Sequence, residues 1–299
     1  MTGAARARPA FIFGMGVAIV PDMIVDAHTH IFPPEVIANR ARFLEGEPAF
    51  AAIYADPAAP MVDGPGLIRA MDEGSVDISW ALSFPWVKEE NSRRHNDYLA
   101  RAVAESRGRL RGLACVHPPA GWALAEAERS LSLGLSGLGE LAFYGGDLDL
   151  GSLAPLCGLC AEAERPLLLH TNEPVGHRYP GKAPMTLAAL YALIKAHPRT
   201  RLVLAHMAGG LFFYALLKKE VAAALANVWI DTAAAPFLYK PRAYGLAVEL
   251  LGAEKMFLGS DYPLLKIERY RRELAAPEAG LGPEDLALIL GEAARKLIP

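Results

Sequence analysis

The 299-residue chain is 53% hydrophobic and 21% charged, with a formal net charge of −3. Near-neutrality without a basic run or a basic-aromatic stretch excludes a nucleic-acid partner. Three cysteines, Cys115, Cys157 and Cys160, are too few for a disulfide framework and point to a reducing cytoplasm.

Residues 1–22 read as an N-terminal arm. Arg6 and Arg8 precede "AFIFGMGVAIV", an order similar to a signal sequence, but no small-x-small cleavage site follows. The apolar stretch also falls short of the roughly 20 residues that cross a bilayer, so no membrane association is expected. Met15 and Met23 are alternative starts. From residue 23 to 299 the chain reads as one domain. The first strand, "MIVDAHTHI", ends in His28 and His30, and residues i and i+2 of a strand share a face. Two imidazoles aimed at one point suit a metal ion and not an apolar core. A connection of about 32–72 follows, with "PPEVIANRARFLEG" and "DPAAPMVDGPG", and is expected to be a helical insertion over the mouth of the fold.

Seven further apolar runs come next, each followed by a helix-like segment. They are "DISWALSFP" (77–85), "LRGLACVHP" (110–118), "LSGLGELAFY" (135–144), "RPLLLHTNE" (165–173), "TRLVLAHMAGG" (200–210), "NVWIDTAAA" (227–235) and "KMFLGSDYP" (255–263). Near-continuous hydrophobicity marks strands buried on both faces, and strict strand–helix alternation predicts a parallel sheet. Eight such units in about 250 residues predict an α/β fold, the (β/α)8 TIM barrel. The C-x-x-C of Cys157 and Cys160 has no second pair and lies in a helical stretch, so it reads as core.

In a barrel the strand C-termini build the site. These ends carry His28 and His30, His117, Glu140, His170, His206, Asp231 and Asp261. His117 in "CVHP" and Asp231 in "IDTAA" read as polar residues that cap their strands. The others converge as metal-ligand chemistry, because buried imidazoles and carboxylates without a cation are costly.

"DAHTHIF", "LLLHTNE", "LVLAHMAGG" and "FLGSDYPL" resemble the amidohydrolase superfamily, and most its branch of TIM-barrel proteins that includes aminocarboxymuconate-semialdehyde decarboxylase. The resemblance implies His28, His30, His170 and Asp261 as metal ligands, with Asp261 also a general base. It makes His206 either a ligand of a second ion or a catalytic group that polarises substrate. Glu140 stands where binuclear members carry a bridging carboxylate, in a "GE" similar to that of TatD-type deoxyribonucleases. It either bridges two ions or supports one, and the loops lack the basic residues a nuclease requires. The implied cofactor is a divalent metal, zinc first, with manganese or iron as other occupants, at one or two ions per chain. A homodimer is implied as well.

The loop "HTNEPVGHRYPGKAPMT" offers Glu173, His177, Arg178, Tyr179 and Lys182 for substrate, with Arg178 and Lys182 suited to a carboxylate. Phe237 and Tyr239 offer apolar walls. The first expectation is a hydrolase that uses metal-activated water on a carbonyl-type bond of a small molecule. The alternative is a metal-dependent nonoxidative decarboxylase or hydratase of an unsaturated or aromatic carboxylic acid. A catalytically silent barrel is the least expected, since none of His28, His30, His170 and Asp261 is missing.

Overall fold

A computed structural model describes residues 11–12, 18–19, 22–144 and 148–298. Phe11–Ile12 and Ala18–Ile19 form a short antiparallel pair, and most of the expected arm, with Met15, lies outside the described residues. No described helix is long and apolar enough to cross a membrane.

Eight strands follow: β1 Val25–His30, β2 Ile78–Leu82, β3 Leu110–Ala114, β4 Gly137–Leu141, β5 Pro166–Leu169, β6 Arg201–Leu204, β7 Val228–Asp231 and β8 Met256–Phe257. Each pairs in parallel with its sequence neighbour. The last edge meets the first. Ala27 N–H donates to Leu258 O (2.7 Å), His30 N–H to Tyr262 O (2.7 Å) and Asp261 N–H to His28 O (2.9 Å). The fold is a (β/α)8 barrel, and every strand lies inside a segment marked by the hydrophobic runs.

Alternation along the strands divides the core in two. Val25, Ala27, Trp80, Leu82, Leu113, Leu168, Val203 and Phe257 fill the barrel, closed by Ala293, Ala294 and Leu297 of the last helix. Ala81, Leu138, Leu167, Leu169, Leu202 and Leu204 face outward and pack under helix residues such as Leu67, Leu99 and Leu193. Each fully buried large side chain contributes roughly 1.5–3 kcal/mol. In β1 the register shifts between Asp26 and Thr29. The inward series of Val25 and Ala27 therefore resumes one residue later, with His28 and His30, as a bulge re-aims side chains.

The connection after β1 contains two structures. Short helices at Pro34–Ala38 and Pro48–Tyr54 carry a satellite core of Phe32, Val36, Phe43 and Phe50 against Phe84 and Trp86, beyond the end of β2. The helix Gly64–Glu73, capped by Asp63 on Gly66 N–H (2.8 Å), instead belongs to the barrel's outer layer, with Leu67 and Met71 at i and i+4 on the main core. Within the expected 32–72 connection, the last helix therefore packs with the barrel, and the part that builds the satellite core precedes residue 64. Buried Glu47 ties it down, accepting from Val87 N–H (2.7 Å), Lys88 N–H (3.0 Å) and Asn91 Nδ2 (2.8 Å) at the start of the helix Glu89–Glu105.

That helix buries a polar stripe, Ser92, His95 and Asn96, ahead of Leu99. Every member is hydrogen-bonded, as buried polar groups require. Asn96 accepts from Ser83 Oγ (2.7 Å) and donates to Cys115 O (3.1 Å) and Glu126 Oε1 (2.9 Å). His95 accepts at Nδ1 from Trp86 Nε1–H (2.9 Å) and donates from Nε2 to Ile31 O (2.6 Å).

Candidate metal centre

Barrel closure brings the C-terminal strand ends together at one point. His28, His30 and Asp261 each offer a ligand atom, all within 4.8 Å of one another, and Glu140, His170 and His206 form a second such set. In the first triad His28 Nε2 lies 3.1 Å from His30 Nε2, and Asp261 Oδ1 is 3.3 Å from His30 Nε2. Two donors that each sit ~2.1 Å from one ion stand roughly 3.0–3.4 Å apart, for angles from 90° to tetrahedral. In the second triad His170 Nδ1 is 2.9 Å from Glu140 Oε1 and 3.1 Å from His206 Nε2.

Glu140 lies between the two. Its Oε1 faces His170 and, at 3.3 Å, His206 Nε2, while its Oε2 stands 3.7 Å from His30 Nε2 and 3.8 Å from His28 Nε2. Four imidazoles and two carboxylates, all but His30 and Asp261 buried, are a donor set that fits a divalent cation. The buried Nε2 of His170 has no hydrogen-bond partner among the described residues, which again marks a group built for something other than protein contacts.

The charges agree with the geometry. Burial opposes ionisation of Glu140, but His170 and His28 hold its carboxyl well below the usual range. Burial likewise opposes Asp261, which hydrogen bonding to His30 and the charges of His28, His30 and His206 keep down at about 2. Burial disfavours a charged His28, yet Asp231, Glu140 and Asp261 together raise it to about 10. His206 is raised to about 9 against burial, chiefly by Glu140. Without a cation, protons take the place of metal charge.

Local backbone supports this array. His206, Met207 and Ala208 (φ 57°, 53° and 52°) and Asp261 (φ 59°) are in the left-handed region, where a non-glycine residue costs ~1–2 kcal/mol. Asp26 faces away from the centre, accepting from Ser260 N–H (2.8 Å) and Ser260 Oγ (2.5 Å) and thereby anchoring the residue before Asp261. Burial raises its carboxyl to about 6.

The remaining expected residues divide. In the β5 loop Lys182 Nζ pairs with Glu173 Oε1 (2.6 Å) and Tyr179 OH donates to Glu173 Oε2 (2.9 Å), so Glu173 already occupies the lysine expected to clamp a carboxylate. His177 and Arg178 are exposed on that loop. Phe237 is 67% exposed at the rim, and Tyr239 OH donates to His206 O (3.2 Å). His117 is half-buried and belongs to neither triad. Cys157 and Cys160 are buried core residues, as expected.

Three side chains near the centre were not singled out as functional from the sequence. Asp231 contacts His28 directly, its Oδ2 2.8 Å from His28 Nδ1. Tyr144, beyond β4, places its hydroxyl 3.2 Å from His170 Nδ1 and stacks on Phe84 (6.3 Å, 19°). Tyr54, from the insertion, packs edge-on to Phe84 (5.8 Å), and burial, with Asp261 and Glu140 nearby, raises its phenol. Only the "IDTAA" strand end carried a sequence signal, and it suited a strand cap equally well.

The amidohydrolase family model matches residues 25–299. The chain belongs to the amidohydrolase family. Its fold is shared with 5-carboxyvanillate decarboxylase from Sphingomonas paucimobilis (TM-score 0.72, 19% identity, 92% of this chain and 98% of that one). It is shared with 2,6-dihydroxybenzoate decarboxylase from Rhizobium (0.69, 19%, 92% and 98%). A third is a dihydroxybenzoic acid decarboxylase from Polaromonas sp. JS666 with bound manganese and the inhibitor 2-nitroresorcinol (0.70, 18%, 92% and 96%). No curated protein matches the sequence.

Proposed function

We propose that this chain is a metal-dependent nonoxidative decarboxylase of a small aromatic carboxylic acid. This places the alternative of the sequence analysis ahead of the hydrolase. The observation that carries it is the aromatic wall beside the donor cluster, where Tyr54 and Tyr144 flank Phe84 and Tyr144 reaches His170. A planar aromatic acid stacks well against such rings. Solved neighbours that are decarboxylases of hydroxylated benzoic acids support the same substrate class.

His28, His30, His170 and Asp261 would hold the cation, with Glu140 and His206 beside it. A bound divalent cation supplies Lewis-acid attraction for the substrate's carboxylate and neighbouring oxygen. Manganese, present in three solved neighbours, and zinc are both compatible with nitrogen and carboxylate donors. In the reaction the bond from ring carbon to carboxyl carbon breaks, CO2 leaves, and a proton takes its place on the ring. Asp261 and His206, one from each triad, are the groups that would carry that proton.

A hydrolase remains the second reading, favoured by the position of Glu140 between the triads, which suits a carboxylate that bridges two ions. There Asp261 takes the proton of the attacking water and passes it to the leaving group.

The test is an assay of chain loaded with manganese or zinc against hydroxybenzoates, with CO2 release as readout, beside a lactone, ester and amide panel. Metal per chain is measured in parallel. CO2 release abolished by His30→Ala supports the decarboxylase. Hydrolysis alone, with two ions per chain and one lost in Glu140→Gln, replaces it with the second reading.

A further inference from the structure

We propose that Asp231 is the positioning residue for both triads, setting the ring of His28 with one oxygen and the backbone of His206 with the other. The proposal rests on the metal-centre reading.

Asp231 ends β7 and is fully buried, yet it is not one of the six donors. Its Oδ2 lies 2.8 Å from His28 Nδ1. A carboxylate only accepts, so the hydrogen of that contact resides on Nδ1. When a cation displaces the second proton of the ring, it is His28 Nε2 that is left to present a lone pair, beside His30 Nε2. Oδ1 accepts two backbone N–H groups, from His206 (3.0 Å) and Ala233 (2.9 Å). The first pins His206 in its left-handed conformation (φ 57°). The second fixes Ala233, whose carbonyl accepts from His206 Nδ1 (3.0 Å), so His206 Nε2 faces Glu140 and His170. One side chain thus dictates which nitrogen each of two histidines, one per triad, turns to the centre. A partner on the far side of a ligating histidine is the usual way to fix its tautomer and orientation.

Asparagine has almost the same shape but offers one acceptor and one donor. With its oxygen on the two backbone N–H groups, its NH2 faces His28 Nδ1, which must then accept. The His28 hydrogen moves to Nε2 and blocks the ligand nitrogen. Flipped, the amide satisfies His28 but sets donors against the His206 and Ala233 N–H groups. Either rotamer spoils one triad.

The experiment compares full-length wild type and Asp231→Asn for zinc affinity by competition with a chromogenic chelator, with the circular dichroism and thermal midpoint of each metal-free chain recorded. The expected result is a 10- to 100-fold weaker zinc affinity, the range for such partners, in a chain that keeps its fold. Zinc affinity within twofold of wild type overturns the proposal and returns Asp231 to a strand cap. A second measurement needs no variant. Long-range 1H–15N spectra of the zinc-loaded wild type support the proposal if His28 carries its hydrogen on Nδ1 and binds through Nε2, and overturn it if Nδ1 is the bound atom. Wild type that takes up neither zinc nor manganese overturns the metal-centre reading and this proposal with it.

Discussion

His95 offers a direct check on how the insertion is fastened to the barrel. Its ring is 1% exposed, accepts from Trp86 Nε1–H and donates to Ile31 O, the carbonyl just after His30. Burial drives its pKa down to about 3. An unfolded histidine titrates near 6.5. Between these values the unfolded chain binds a proton that the folded chain refuses, so folded-state stability falls with pH. Its contribution is complete above pH 6.5 and is lost as pH drops towards 3. The slope is ~1.4 kcal/mol per pH unit, and the whole interval amounts to about 5 kcal/mol. His95→Gln keeps a donor and an acceptor but cannot titrate. Urea unfolding at several pH values from 6.5 to 4 isolates the difference, since all other carboxylates and histidines are common to both chains. Wild type should lose ~1.4 kcal/mol more per pH unit than the variant. Parallel curves would refute the account of a neutral, desolvated His95 and, with it, the two hydrogen bonds drawn from it.

Two further outcomes follow from the same physics. His28 and His206 are protonated near neutrality in the metal-free chain, at about 10 and 9, because carboxylates outweigh burial. Cation uptake at pH 7 should therefore expel one to two protons and strengthen by ~10-fold or more per pH unit as pH rises. Calorimetry in buffers of different ionisation enthalpy reads this, and heats independent of buffer would contradict it. Glu47→Ala leaves the N–H groups of Val87 and Lys88 and the Asn91 amide without their acceptor. At ~1 kcal/mol for each of the three hydrogen bonds lost, a loss of ~3 kcal/mol should speed amide exchange at Val87 and Lys88 about 100-fold; unchanged exchange would show that the insertion is held elsewhere.

The barrel was legible because its signal is local. Apolar runs of strand length, each followed by a helix-like stretch, recur from "MIVDAHTHI" to "KMFLGSDYP", and buried parallel strands need nothing more specific. The candidate donors stood out for a related reason: a buried strand gains nothing by ending in a histidine or carboxylate unless that group meets an ion or a polar partner. The Glu173–Lys182 pair shows the limit. Both residues were recognised as functional chemistry in one loop, but whether the lysine meets a substrate or its own neighbour depends on a turn between them.

Strand periodicity in the chain alone determined the fold class, and strand-end chemistry singled out the candidate donors. Tertiary structure decided that the Gly64–Glu73 helix packs with the barrel, because Leu67 and Met71 declare themselves only against the main core. It also placed Glu140 between two triads and joined Asp231 to His28, residues 203 positions apart. Hydrophobic patterning acts along the chain and survives in the sequence. The direction of a side chain at the barrel mouth is set by closure of the sheet and the bulge in β1, and hydrogen bonds of that kind have no period to read.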